Sequence, residues 1–230
     1  MFATCAGAGA EGWISGRPSR WASGGYRYGE RNQRNTWGDV DTGGSGSGAE
    51  GLLLSLKKAA SVMLEAEVRF ALAGGFAAYA RGAAESTHDV DFVLPEDEVE
   101  NAVKALVKAG MRFQEAPENW LAKVYDGEQL IDLIYAPVDG AVDDALLGRA
   151  DELIVAAVRM PVLAATDLVV MRLLAFTETA CDFSGYLHVC RSLREQVDWP
   201  EVARRTADSP YAYAFLTLLA RLGVIEGGFL

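Results

Sequence analysis

Cysteine and histidine are scarce in this chain, at three and two in 230 residues. Cys5, Cys181 and Cys190 cannot build a disulfide framework and lack zinc-finger spacing, so reduced thiols in a cytoplasmic protein are expected. Two histidines, His88 and His188, exclude a histidine-rich metal site. No apolar run reaches the roughly 18–20 residues needed to cross a bilayer. The best stretch, Leu168 to Phe176, is interrupted by Arg172. The N-terminus has no apolar segment of the kind a secretory signal needs. A Gly-x-x-x-x-Gly-Lys-Ser/Thr sequence is missing, which leaves a P-loop NTPase without support. Basic residues are outnumbered, 21 against 32 acidic, for a net charge of -11. Residues 1–50 hold five of each sign, so the imbalance falls wholly on the rest of the chain. Such a surface repels phosphate backbones, and general DNA binding is not expected.

What is present divides at about residue 50. Residues 1–49 hold twelve of the 24 glycines and no lysine, and close on Thr42-Gly-Gly-Ser-Gly-Ser-Gly48. No period of helix or strand persists there, so the segment reads as a flexible N-terminal extension, although Trp13, Trp21 and Trp37 are unusual in a linker. Half of the whole chain is hydrophobic, enough for a sizeable core.

From Gly51, Leu52, Leu53, Leu56, Ala59, Ala60 and Met63 recur at helical spacing. Residues 69–73 read as a strand entering a turn at Gly74-Gly75, 76–83 as a helix, and 89–94 as a second strand ended by Pro95. Asp97 to Ala109 reads as a helix stopped by Gly110. A short strand at Met111 to Gln114 follows, then a hairpin of Leu121 to Tyr125 and Leu130 to Tyr135 around Asp126-Gly127. Beyond about residue 160 the pattern turns helical. Thr166 is placed as the N-cap of a helix over Asp167 to Thr179, and helices follow at Ser184 to Glu195, Pro200 to Thr206 and Pro210 to Leu222. The expected fold is α+β (α/β): a mixed sheet with packed helices over residues 50–160, then a C-terminal helical bundle over 161–230.

Asp89 and Asp91 are two apart on the second strand, so both carboxylates leave the same face. Acids on a strand are common on a wetted face. Here, however, Val90, Phe92 and Val93 make the strand apolar, and Gly74-Gly75 stands fourteen residues upstream at a strand-to-helix junction, where backbone N–H groups can meet an anion. Asp132, between Ile131 and Leu133, lies on a later strand able to pair with the acidic one. A buried carboxylate there is costly unless something positive faces it.

Gly-Gly, a helix, Asp-x-Asp on a strand and a third acid on a later strand resemble the nucleotidyltransferase fold superfamily. The closest likeness is to the AbiEii-type toxins of toxin–antitoxin pairs, over roughly residues 50–225. The resemblance implies a nucleotidyltransferase using an NTP and two Mg²⁺ ions held by Asp89, Asp91 and Asp132, with Asp132 also drawing the proton from the acceptor hydroxyl. It implies phosphate contacts from Gly74 and Gly75, from Ser86 or Thr87, and from Arg172, where AbiEii-type proteins tend to carry lysine. Asp182 fits a further acid of that helical motif. Arg81 and Lys123 are candidate triphosphate or acceptor contacts, and His88, pointing away from the aspartates, is structural or supports them from behind. The acceptor is left open between a tRNA end, a protein side chain and an aminoglycoside-like small molecule, with a cognate antitoxin as a possible partner. The alternatives are a degenerate member that binds nucleotide or a partner protein without turnover, and a regulatory protein whose acids are surface features.

Overall fold

The structure is a computed structural model and describes residues 47–84, 86 and 89–228. The described residues belong to one compact unit, Gln33–Leu230. The expectations for residues 1–46, Thr87 and His88 lie outside the described residues.

The centre is a seven-stranded mixed sheet in the order β3-β4-β5-β2-β1-β7-β6. Its strands are β1 (Ala71–Leu72), β2 (Val90–Val93), β3 (Arg112–Gln114), β4 (Leu121–Asp126), β5 (Gln129–Ile134), β6 (Asp151–Val155) and β7 (Val158–Val162). Two neighbouring pairs are parallel, β2 with β5 and β1 with β7, and the others antiparallel. Helix α1 (Ser47–Glu65) lies on the sheet with Leu52, Leu56, Ala59, Ala60 and Met63 buried, the stripe its periodicity foretells. Its polar side is tied to the end of β4 by Lys58 Nζ and Ser55 Oγ on Asp126, at 2.6 and 3.0 Å. Helix α3 (Val99–Lys108) follows a 3-10 turn at Glu96–Glu98 and ends before Gly110, whose φ of +91° only glycine adopts readily.

The β4–β5 hairpin closes on Gly127-Glu128, with Asp126 opposite Gln129 and Gly127 at φ +61°. The hairpin of β6 and β7 falls where the sequence analysis assigns nothing. Its turn is Ala156-Ala157 at φ +49° and +66°, left-handed positions that usually carry Asn or Gly. Pro161, an argument against a strand, sits within β7.

The helical part comprises α5 (Ala165–Leu174), α6 (Phe183–Leu193), α7 (Trp199–Arg205) and α8 (Pro210–Arg221), after a short α4 (Asp144–Leu147). Phe176, Tyr186 and Phe215 meet there edge-on or tilted, with ring centroids 5.8–6.4 Å apart. Asp182, Asp198 and Ser209 cap α6, α7 and α8 through their side chains. The expected cap of α5 is corrected. The helix begins one residue before Thr166, whose hydroxyl instead accepts from the Asp198 N–H at 3.0 Å. No helix among the described residues is long and apolar enough to cross a membrane.

Candidate active site

Parallel pairing of β2 with β5 sets Asp91 directly beside Asp132, and Asp89 enters one residue before β2. The alternation of the strand sends Asp89 and Asp91 to one face, as the sequence requires. The three carboxylates each offer an oxygen within 4.8 Å of the others. All three are buried, at 6, 5 and 4 % exposure for Asp89, Asp91 and Asp132, which removes the reading of them as surface acids.

Burial and crowding make these carboxyls hard to ionise. Burial, then the charge of Asp132, pushes Asp89 up to about 7 against the pull of Lys123. Burial, then Asp89 and Asp132, pushes Asp91 well up, with Arg172 and Lys123 opposing. Asp132 is raised by burial and restrained by Lys123. Asp89 Oδ1 is buried and has no hydrogen-bond partner among the described residues. Three converging carboxylates with an orphaned oxygen fit a hard divalent cation, which takes oxygen ligands and offsets the desolvation.

Ala73 N donates to Asp91 O at 2.9 Å, holding the end of β1 against β2. The next residue, Gly74, has φ +59°, and any β-carbon there would collide with the Asp91 carboxylate. Gly74 and Gly75 are the first two residues of helix α2 (Gly74–Ala80), rather than a turn before it. Their N–H groups belong to the first helical turn, which has no acceptors within the helix.

Arg172 reaches the same place from α5. It is buried, stacked 5.3 Å from the Phe176 ring and 5.8 Å from the Tyr186 ring, and its charge acts on Asp91 and Asp182. Burial lowers its pKa to about 10, still cationic at neutral pH. Asp182, besides acting on Arg172, spends its carboxylate on the N-terminus of α6. Lys123 stands on β4 opposite Asp132, with Nζ 3.3 and 3.5 Å from the two carboxylate oxygens. Arg81 is not at the site. Its guanidinium donates to the Leu163 and Val162 carbonyls at 2.6 and 3.1 Å and to Asp151 at 2.6 Å, stapling α2 to the β6–β7 hairpin. Ser86 is half-buried between α2 and β2, and His188 is exposed on α6.

Two features had no sequence signal. Glu118, in the loop before β4, has a buried Oε2 and adds negative charge beside Asp132. A cavity of about 580 Å³ lies elsewhere, lined by Asp139, Arg149, Asp167, Arg204 and Arg205 among others and by none of the three carboxylates. Asp167 is its buried centre, with Arg149 on both oxygens at 2.8 and 2.9 Å and Arg205 at 2.6 Å.

Solved structures similar in fold include two of one antibiotic-resistance factor. The solution structure of the antibiotic-resistance factor ANT(2'')-Ia matches with a TM-score of 0.53 and 16% identity, over 76% of this chain and 99% of that one. The crystal structure of ANT(2'')-Ia in complex with adenylyl-2''-tobramycin matches with a TM-score of 0.50 and 16% identity, over 73% and 98%. The fold of this chain is thus similar to that of ANT(2'')-Ia. No protein-family model and no curated protein sequence matches the chain. The mixed sheet and its helices thus agree with the architecture expected from the Gly-Gly, Asp-x-Asp and Asp132 motifs.

Proposed function

We propose that this protein is a metal-dependent nucleotidyltransferase, moving a nucleoside monophosphate from an NTP to an acceptor hydroxyl with release of pyrophosphate. The observation that carries the reading is the convergence of Asp89, Asp91 and Asp132, buried and within 4.8 Å of one another. They would hold two Mg²⁺ ions, which when bound neutralise the triphosphate and its in-line transition state. Asp132 takes the proton of the acceptor hydroxyl as its oxygen attacks the α-phosphorus, and the bond from that phosphorus to pyrophosphate breaks. The N–H groups of Gly74 and Gly75, the Thr87 hydroxyl and the Arg172 guanidinium bind the phosphates. Gly74, lacking a β-carbon, lets the backbone approach both Asp91 and the nucleotide.

For the acceptor, the similarity of nearly the whole ANT(2'')-Ia chain and the net charge of -11 favour a cationic, aminoglycoside-like small molecule. The finer likeness to AbiEii-type toxins, with a tRNA or protein acceptor and a cognate antitoxin, rests on the sequence motifs and the cation at 172. A degenerate, non-catalytic protein is disfavoured because mere binding needs no set of three buried carboxylates, each costly to keep.

Calorimetry with each of the four NTPs and Mg²⁺ tests the reading without knowledge of the acceptor. Wild-type protein should bind at least one, and Asp89→Asn/Asp91→Asn should not. Failure of the wild type with all four would refute it. A labelled NTP then separates aminoglycoside, tRNA and protein acceptors by which becomes labelled.

A further inference from the structure

Lys123, Asp132 and Asp91 form a row across three adjacent strands. Antiparallel register places Lys123 opposite Asp132, and parallel register places Asp132 opposite Asp91, so all three side chains share one face of the sheet. The Lys123 ammonium straddles both Asp132 oxygens at 3.3 and 3.5 Å, with its side chain 20 % exposed and that of Asp132 6 %. Both oxygens of one of the three cluster carboxylates are therefore already engaged by a cation built into the fold. Lys123 opposes the negative charges around Asp132, which are Glu118 and the neighbouring carboxylates Asp89 and Asp91.

We propose that Lys123 is a positioning residue that makes divalent-cation binding at Asp132 conditional on nucleotide. This inference rests on the transferase reading above. The ammonium fixes the Asp132 carboxylate from the β4 side and repels a second cation arriving alone. A triphosphate carries several negative charges, and its arrival offsets that repulsion, so cation and nucleotide load together. Like charges a few ångströms apart at a partly buried site repel strongly enough to shift an affinity by more than about tenfold.

Electron paramagnetic resonance of Mn²⁺ at pH 8, with and without a non-hydrolysable NTP, reads this directly. Wild-type protein should bind Mn²⁺ weakly alone and tightly with nucleotide. Lys123→Met should bind Mn²⁺ alone at least about tenfold more tightly, with a much smaller change when nucleotide is present. Lys123→Arg, which keeps the charge, should behave as wild type. Circular dichroism checks folding, and Lys123→Gln replaces the Met variant if that one unfolds. Equal or weaker Mn²⁺ binding by the neutral variant, or the same tightening in Lys123→Arg, overturns the proposal while leaving the transferase reading intact. No Mn²⁺ binding by wild type, with or without nucleotide, overturns both.

Discussion

The Asp91 carboxylate fills the space a side chain at residue 74 would need: a β-carbon on Gly74 would lie 1.8 Å from Asp91 Oδ2 and 2.6 Å from its Cγ. Two motifs seventeen positions apart in the chain are thus one object in space. The glycine serves the acid at least as directly as it serves any phosphate.

Gly74→Ala should therefore be far more damaging than an ordinary glycine replacement. A left-handed alanine costs about 1–2 kcal/mol, and overpacking adds about 1–3 kcal/mol. Gly127→Ala carries the first cost alone, since φ is +61° and nothing lies within 4 Å of its β-carbon. Urea denaturation of the two variants should show the larger loss at 74, and Mg²⁺-dependent NTP binding should vanish only there.

The acid cluster predicts an inverted pH profile for protein stripped of metal. Asp89, Asp91 and Asp132 are all raised, so the folded state holds protons that the unfolded chain has released. Stability is then greatest below about pH 4, the ordinary range of an unfolded aspartate, as far as these groups are concerned. It falls as pH climbs through about 7, where Asp89 ionises. In EDTA the melting temperature should drop between pH 5 and 8, and Mg²⁺ should flatten the curve. A profile that is already flat in EDTA would contradict the crowding of these carboxyls.

By the same logic Asp91→Asn should raise the melting temperature of the metal-free protein at pH 8 while abolishing the response to Mg²⁺. Each kcal/mol recovered is worth about 2–4 °C in a chain of this size. Stabilisation with loss of ligand binding is the mark of a site maintained against the interests of the fold.

Asp167 should behave in the opposite way. Burial pushes its pKa up, but the hydrogen bonds from Arg149 and Arg205 outweigh that and hold it below the usual carboxylate range. Asp167→Asn takes the carboxylate from the half-exposed Arg149 and from Arg205, which keeps Asp139, and should cost about 1.5–3 kcal/mol, the worth of a hydrogen bond to a charged group. Arg204→Ala, whose partner Glu201 lies on the same helix at the surface, should change nothing measurable in thermal melts. Metal-dependent NTP binding by any Asp167→Asn protein that remains folded should match wild type.

The amino-acid sequence by itself determined the alternating strand that puts Asp89 and Asp91 on one face, the apolar stripe of α1, and the proline-marked starts of α7 and α8. These are local facts, set by the period of each element and the special backbones of Gly and Pro. The Gly-Gly, Asp-x-Asp and Asp132 pattern also led to the right fold. Only the tertiary structure decided the rest. The β6–β7 hairpin was hidden because its left-handed turn is Ala-Ala and its second strand contains a proline. Arg81 and Lys123 are equally plausible cations in the sequence. Sheet order and register give one to a carbonyl staple and the other to Asp132. Asp167 and Thr166, adjacent at a helix start, diverge for the same reason: what each side chain does depends on arginines and an N–H brought from some twenty to forty residues away. Pairing register between distant strands is fixed by the packing of the whole core, and no single stretch of chain carries it.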